Sequence, residues 1–446
     1  MKIIIAGAGE VGYHLAKQLS SEEHDISVID IDAEHLSRTD ASTDVMTILG
    51  SSTSIQVLGR AGVARTDLVV AVTSSESINI TTAIVSKKLG AHRTIARVSS
   101  AEYIAEEQVE MFKSLGVDYL IYPEELASQE VVKLIERAAA TDVLEFEEGK
   151  LSLIGLKLDK SVPVLRMTMK EAAEEYNTMN FRTVAIHRGM RTIIPRGDDI
   201  FLPNDQIFVI TTPEGLDDII KLSGKENTKI QNIMILGGGR IGRKTAKLLE
   251  NSMNIKLIES DSDKTIDLAD YLQKTLVIQG DGRDIDLLAQ EGIIDMDAFI
   301  AVTDDAETNI ITCLMAKHLG VSKTIAQVDN VDYIPLTQTI GLDSLINKKL
   351  TTANNIIRFI RKANILSLAT LQGIDAEVLE YVVKPTSPIT KSPIRKMKFP
   401  KNAIIGGFVR DNKGYIVDGD TEFKADDKVV VFSLPDAISK IEKFFS

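Results

Sequence analysis

Cysteine is almost missing from this chain: Cys313 is the only one among 446 residues. An internal disulfide is therefore excluded, and a reducing compartment fits. Long apolar runs are missing too, since none approaches the ~18–20 residues that cross a bilayer. The opening Met1-Lys2-Ile3-Ile4-Ile5 runs straight into Gly7-Ala8-Gly9, without the apolar length or cleavage site of a signal peptide. A cytoplasmic protein is expected. Basic charge is in deficit, with a formal net charge of −13. That argues against a nucleic-acid partner, whose binding needs clustered Lys and Arg to displace counterions. It equally disfavours direct docking on anionic lipid, but leaves room for a small basic site for one nucleotide.

What the chain has is repetition, the feature to seek first. Ile3-Ile4-Ile5-Ala6-Gly7-Ala8-Gly9-Glu10-Val11-Gly12 returns as Ile233-Met234-Ile235-Leu236-Gly237-Gly238-Gly239-Arg240-Ile241-Gly242, 230 residues later. At the same interval Ala71-Val72-Thr73 matches Ala301-Val302-Thr303, Asn79 matches Asn309, and Thr94-Ile95-Ala96 matches Thr324-Ile325-Ala326. Further on, Gly197-Asp198, Asp205, Phe208-Val209-Ile210 and Pro213 reappear as Gly419-Asp420, Asp427, Val430-Val431-Phe432 and Pro435, now 222 residues apart. Four modules in A–B–A′–B′ order are expected, at 1–125, 141–225, 230–350 and 365–446. The polar stretch Gly224-Lys225-Glu226-Asn227-Thr228-Lys229 reads as the linker between copies.

In module A, Ile3–Ala6, Ile26–Ile29, Val45–Leu49, Leu68–Val72, Thr94–Val98 and Tyr119–Tyr122 read as strands separated by helical patterns. Apolar strands without polar alternation imply a parallel sheet covered on both faces, hence a doubly wound, Rossmann-like α/β domain. Module B reads as a small α+β domain, with strands at Leu151–Leu158, Arg182–His187, Arg191–Pro195 and Gln206–Thr211. Helices are expected there at Val164–Tyr176 and Leu216–Leu222, and a bridging helix at Pro123–Ala140.

Gly7-Ala8-Gly9-Glu10-Val11-Gly12 is a G-x-G-x-x-G that follows a strand and opens a helix. The first glycine permits the turn, the second lets backbone approach a pyrophosphate, and the third lets helix and strand pack closely. Asp30 ends the second strand, 21 residues after Gly9. A carboxylate there accepts ribose hydroxyls and repels a 2′-phosphate, favouring NAD or an adenine nucleotide over NADP. Gly237, Gly239 and Gly242 with Glu259 repeat the set, although Arg240 and Ile241 stand where Glu10 and Val11 do. Ser51-Ser52 and Thr73-Ser74 follow the third and fourth strands and line the same edge. Their second-copy counterparts include Asp281 and Thr303-Asp304.

No reaction accompanies this fingerprint. Dehydrogenases position a proton donor or acceptor, often His or Lys, beside the hydride. His14, His24, His35, His92, His187 and His318 have no histidine at matching positions, and surface placement is expected for each. Cys313 falls in an apolar helical pattern and reads as core. Asp304-Asp305 and Asp426-Asp427 lack the spacing of a metal site and read as solvated loop carboxylates. Binding coupled to conformational change fits a duplicated sensor better.

In this A–B–A′–B′ order the whole chain resembles the TrkA family of tandem RCK (KTN) proteins, regulatory subunits of bacterial and archaeal Trk-type potassium uptake. The resemblance rests on Gly7–Gly12 with Asp30, on Thr73-Ser74 and Arg97, and on the set around Gly237 and Glu259. It implies NAD(H) or ATP/ADP as ligands, an RCK ring as homo-oligomer, and docking beneath a membrane-embedded potassium-translocating subunit. It also implies that Arg97 reaches the ligand phosphates, where the second copy has Gln327. The residues leave open an NAD-dependent oxidoreductase of unusual architecture, and an RCK regulator of another potassium channel or efflux system.

Overall fold

The computed structural model describes residues 1–20, 24–136, 140–158, 162–176, 180–189, 191–216, 218–219, 230–334, 340–361, 365–370 and 376–445. The expected linker at 224–229 and most of the helix at 216–222 lie outside them. The chain groups into two compact units, Met1–Ala127 with Asn347–Ile360, and Ser128–Ile346 with Arg361–Ser446.

In the first unit, Ile3-Ile4-Ile5 and Val69-Val70 are buried on both faces of their strands. Such β-branched runs leave no polar face for water, so helices must cover both sides. The parallel sheet has the order Met46–Leu49, Asp25–Asp30, Lys2–Ala6, Leu68–Ala71, Arg93–Arg97, Tyr119–Ile121. Lys2–Ala6 pairs with Asp25–Asp30 on one side and Leu68–Ala71 on the other. The winding reverses there, and the loops after these strands open the crevice where such sheets bind ligands.

Helix Lys348–Arg361 follows the second copy's last parallel strand, yet its residues up to Ile360 belong to the first unit. The Phe359 ring stacks on Tyr119 with centroids 4.9 Å apart, and the Arg93 guanidinium lies 5.4 Å from the Phe359 ring centroid. The matching helix Pro123–Glu136 belongs to the second unit from Ser128 onward, where Ser128 Oγ donates to the Ile241 carbonyl at 3.3 Å. Each post-sheet helix is thus grouped with the other copy's sheet. Periodicity marks a helix at Pro123–Ala140 but carries no destination for it.

The second unit repeats the parallel sheet, in the order Leu276–Gln279, Asn254–Glu259, Asn232–Leu236, Ala298–Ala301, Lys323–Gln327, Ser344–Ile346. It also holds two antiparallel five-stranded sheets. One runs Arg191–Ile193, Phe181–Arg188, Gln206–Thr211, Leu151–Lys157, Asp142–Phe146; the other runs Ile365–Thr370, Glu377–Val382, Lys428–Ser433, Ala403–Arg410, Lys413–Ile416. The edge strand Asp142–Phe146 escaped the sequence reading because it pairs on one side only and its five residues include two acids. Helix Val164–Tyr176 is also corrected: it starts at Met169. Arg166 takes a left-handed φ of 68°, and Thr168 and Glu171 form a reciprocal capping box, each accepting the other's backbone N–H at 2.8 and 3.1 Å.

The two antiparallel sheets share one core, in which Phe208 and Phe432 approach to 6.4 Å between centroids among Leu153, Ile210, Val378 and Val430. Asp427 is not a solvated loop carboxylate, as expected above. It is 1% exposed and takes two hydrogen bonds from Arg410, at 2.7 and 2.6 Å. Asp205 and Arg188 repeat this pair at 2.8 and 2.7 Å. A buried carboxylate survives because two parallel N–H donors replace its water.

Gly406 shows how closely these sheets meet. A Cβ there would lie 2.8 Å from Ile210 Cγ2 and 2.9 Å from Val184 Cγ1. Gly406→Val is expected to cost about 1–3 kcal/mol by overpacking. Gly59→Ala, on an exposed helical turn where a Cβ meets nothing within 4 Å, should instead stabilise by about 0.5–1 kcal/mol. Chemical denaturation of both variants checks this; equal midpoints would contradict the packing argument.

Candidate functional site

The first glycine loop is built by close contact of backbone with backbone. Gly7 has φ 108°, and a Cβ on it would stand 2.9 Å from the Thr73 nitrogen. A Cβ on Gly12 would lie 1.8 Å from the Gly7 oxygen. Over Gly9, by contrast, a Cβ would meet nothing within 4 Å. Two of the three glycines close the strand–helix corner and the middle one faces open space, as a backbone meeting a pyrophosphate requires. Ala8 and Val11 are buried in the corner, and Glu10 opens helix Glu10–Ser20.

Asp30 braces this loop. Its Oδ2 accepts the Ala8 N–H at 2.5 Å, and its Oδ1 accepts the Asp32 N–H at 2.9 Å. The carboxylate thus sits beside the loop while keeping lone pairs for further donors. In the second copy Glu259 takes the Gly238 N–H at 2.9 Å and the Asp261 N–H at 2.9 Å, and is 8% exposed. The longer side chain reaches the same donors from a more buried position.

The loops at the other strand ends are tied by a residue that the sequence marked only as a repeat landmark. Asn79, 1% exposed, accepts from the Thr73 N–H at 2.8 Å and the Thr73 hydroxyl at 2.7 Å. It donates to the carbonyls of Thr73 and Arg97, at 3.0 and 2.9 Å. Asn309 does the same for Thr303 and Gln327, at 3.0, 2.7, 3.0 and 3.0 Å. Recurrence at a fixed interval was the signal available for it.

The other expected site residues divide. Ser74 is exposed and Ser51 half-buried at the strand ends. Ser52 is 5% exposed and bonds Thr82 at 2.9 Å, a structural tie beneath the loop. Arg97 is half-buried, and among the described residues its guanidinium carries no ion pair. Gln327 is 4% exposed with a buried Oε1 that has no partner. In the second loop, Gly237 has φ 101°, a Cβ on Gly242 would lie 1.9 Å from the Gly237 oxygen, and Gly239 again faces open space. Ile241 is buried and Arg240 exposed. Asp281 is forked to Arg283 at 2.6 Å, which holds its carboxyl down at about 2. Asp304 is exposed, while Asp305 caps helix Ala306–His318.

Cys313 lies fully buried, and burial pushes its thiol up. His35, His92 and His318 are exposed, but His14, His24 and His187 are half-buried, which corrects the surface placement expected for them. Burial lowers the His14 pKa. Among the described residues no group of three or more His, Cys, Asp or Glu could hold a metal ion, and no helix is long and apolar enough to cross a membrane.

The glycines can be told apart by experiment. Gly9→Val is expected to fold, losing about 1 kcal/mol as a poorer helix cap. Gly12→Val drives a side chain into the Gly7 carbonyl and should cost about 3 kcal/mol or more. Thermal denaturation followed by circular dichroism separates the two; a Gly12→Val protein as stable as Gly9→Val would overturn the assignment of roles.

Residues 3–123 and 233–348 match the TrkA-N domain, and residues 153–224 and 378–446 the TrkA-C domain. A Trk system potassium uptake protein TrkA homolog 1 from Methanosarcina mazei is 35% identical, covering 100% of both chains. The Trk system potassium uptake protein TrkA of Vibrio alginolyticus is 32% identical, over 100% of this chain and 98% of that protein. Among solved structures, the GsuK channel bound to NAD matches with a TM-score of 0.60 at 17% identity, over 100% of this chain and 78% of that one, a likeness of fold. With both domain types matched twice and relatives aligned end to end, the chain belongs to the TrkA family.

Proposed function

We propose that this chain is the nucleotide-binding regulatory subunit of a Trk-type potassium-uptake system, coupling NAD(H) or ATP/ADP binding to potassium flux. The reading is carried by one observation: a chain related end to end to Trk potassium uptake proteins keeps two glycine loops that face open space beside a bracing carboxylate. Gly7, Gly9 and Gly12 with Asp30 would hold the first ligand, and Gly237, Gly239 and Gly242 with Glu259 the second. Thr73, Ser74 and Arg97, or Thr303, Asp304 and Asp281, would close over it. The four modules, at 1–125, 141–225, 230–350 and 365–446, supply two sensors and two antiparallel partners for assembly into an RCK ring. Its cytoplasmic ring would dock beneath a membrane-embedded translocating subunit.

In this reading the ligand does no chemistry. It works by binding one arrangement of the modules more tightly than another, and several sites in a ring can together supply the several kcal/mol that such a shift needs. The half-buried Arg97 beside a braced loop offers a cation to phosphates, and Asp30 offers acceptors to a ribose.

Asp30→Ala is expected to weaken nucleotide binding at the first loop by about 1.5–3 kcal/mol, the range for hydrogen bonds to a charged group. Calorimetric titration with NAD, NADH, ATP and ADP measures it, and unchanged affinity would remove Asp30 from the site. Potassium flux into vesicles holding the translocating partner and this protein should depend on which nucleotide is present, with the nucleotide recovered intact. Flux indifferent to every nucleotide would sink the regulatory reading, and stoichiometric oxidation of NADH with an added substrate would favour an oxidoreductase instead.

A further inference from the structure

The start of helix Glu10–Ser20 turns its first N–H groups and the positive end of its dipole toward the space beside Gly9, an arrangement that favours an anion. This chain places a fixed anion there. The Glu10 carboxylate lies 3.3 Å from Lys349 Nζ and 3.5 Å from Arg38 Nη1. Arg38 is held by Tyr13, whose ring centroid is 4.4 Å from its guanidinium carbon. Lys349 comes from the far end of the chain, as the second residue of the exchanged helix Lys348–Arg361, and it belongs to the same compact unit as the first loop. Its side chain is 30% exposed and that of Glu10 37%, so water screens the pair only in part. Burial pushes the Glu10 carboxyl up, but Lys349 and Arg38 more than reverse this and keep it ionised.

The second copy carries the opposite signs. Arg240 opens its helix where Glu10 opens the first, and Glu124 is second in helix Pro123–Glu136 as Lys349 is second in its own. Because both signs reverse together, mutual attraction does not account for the difference; what changes is the charge that opens the helix beside each glycine loop, negative at Glu10 and positive at Arg240.

We infer that Lys349 sets the charge class of nucleotide accepted at the first glycine loop, by cancelling Glu10 so that a polyphosphate is tolerated beside it. This rests on the reading of that loop as a nucleotide site. Glu10 repels each phosphate charge, and Lys349 with Arg38 leaves the trio with one net positive charge. Without Lys349 the trio is neutral, and the loss falls hardest on the ligand with most negative charge.

The test is calorimetric titration of the full chain with ATP, ADP and NAD, in a Gly239→Val background that silences the second loop. Lys349→Met should lower ATP affinity about tenfold, ADP less, and NAD about twofold or less, a graded Coulomb effect in partly screened surroundings. Lys349→Arg should keep the parent ratios, and Glu10→Gln with Lys349→Met should restore them. Equal loss for all three nucleotides, or none, would overturn the charge assignment and leave the nucleotide reading standing. A Gly239→Val parent that binds none of the three would overturn both, through the reading beneath.

Discussion

Gly7 and Gly12 touch backbone to backbone, with only 1.8 Å between the Gly7 oxygen and the place where a Gly12 Cβ would stand. That contact seats the first helix against the first strand and turns its N–H groups toward the sheet's open edge. Asp30 then has a loop to brace, and the loop after Leu68–Ala71 has a neighbour to close against. The same contact recurs at Gly237 and Gly242. Each parallel sheet is thus arranged around a corner that tolerates no side chain.

Around these corners the polar residues do two jobs. Asn79 and Asn309 satisfy the ends of adjacent strands with a single amide each, which holds the floor of the crevice rigid without spending a main-chain group. Asp30 and Glu259 hold the loop by its N–H groups. A ligand reaching them meets a preorganised edge, and less ordering is needed on binding. Between the copies these braces repeat while neighbouring positions differ: Arg97 against Gln327, and Glu10 against Arg240.

The antiparallel sheets obey a different constraint. Gly406 leaves no room for a side chain against Ile210 and Val184, and the shared core around Phe208 and Phe432 ties the two small domains face to face. Arg188–Asp205 and Arg410–Asp427 fasten the end of one strand to the start of its non-consecutive antiparallel neighbour in each, with every carboxylate oxygen partnered. A sheet of five short strands buries too little alone, and its partner supplies the rest.

Much of this was legible in the residues. Unalternated Ile and Val runs determined the parallel sheets, because such strands have no face to give to water. Glycine spacing and the acid after the second strand located both loops, since backbone conformation and strand length are local properties. The repeat interval marked Asn79 without its purpose, as a side chain bonding across eighteen residues of sequence has no local signature. Asp427 reads as a loop acid until Arg410 is seen folded against it. The exchanged helices and the Glu10–Lys349 pair, 339 residues apart, were beyond any pattern. Periodicity states that a helix has an apolar face, but only the tertiary structure decides which sheet that face meets and which charge it carries there.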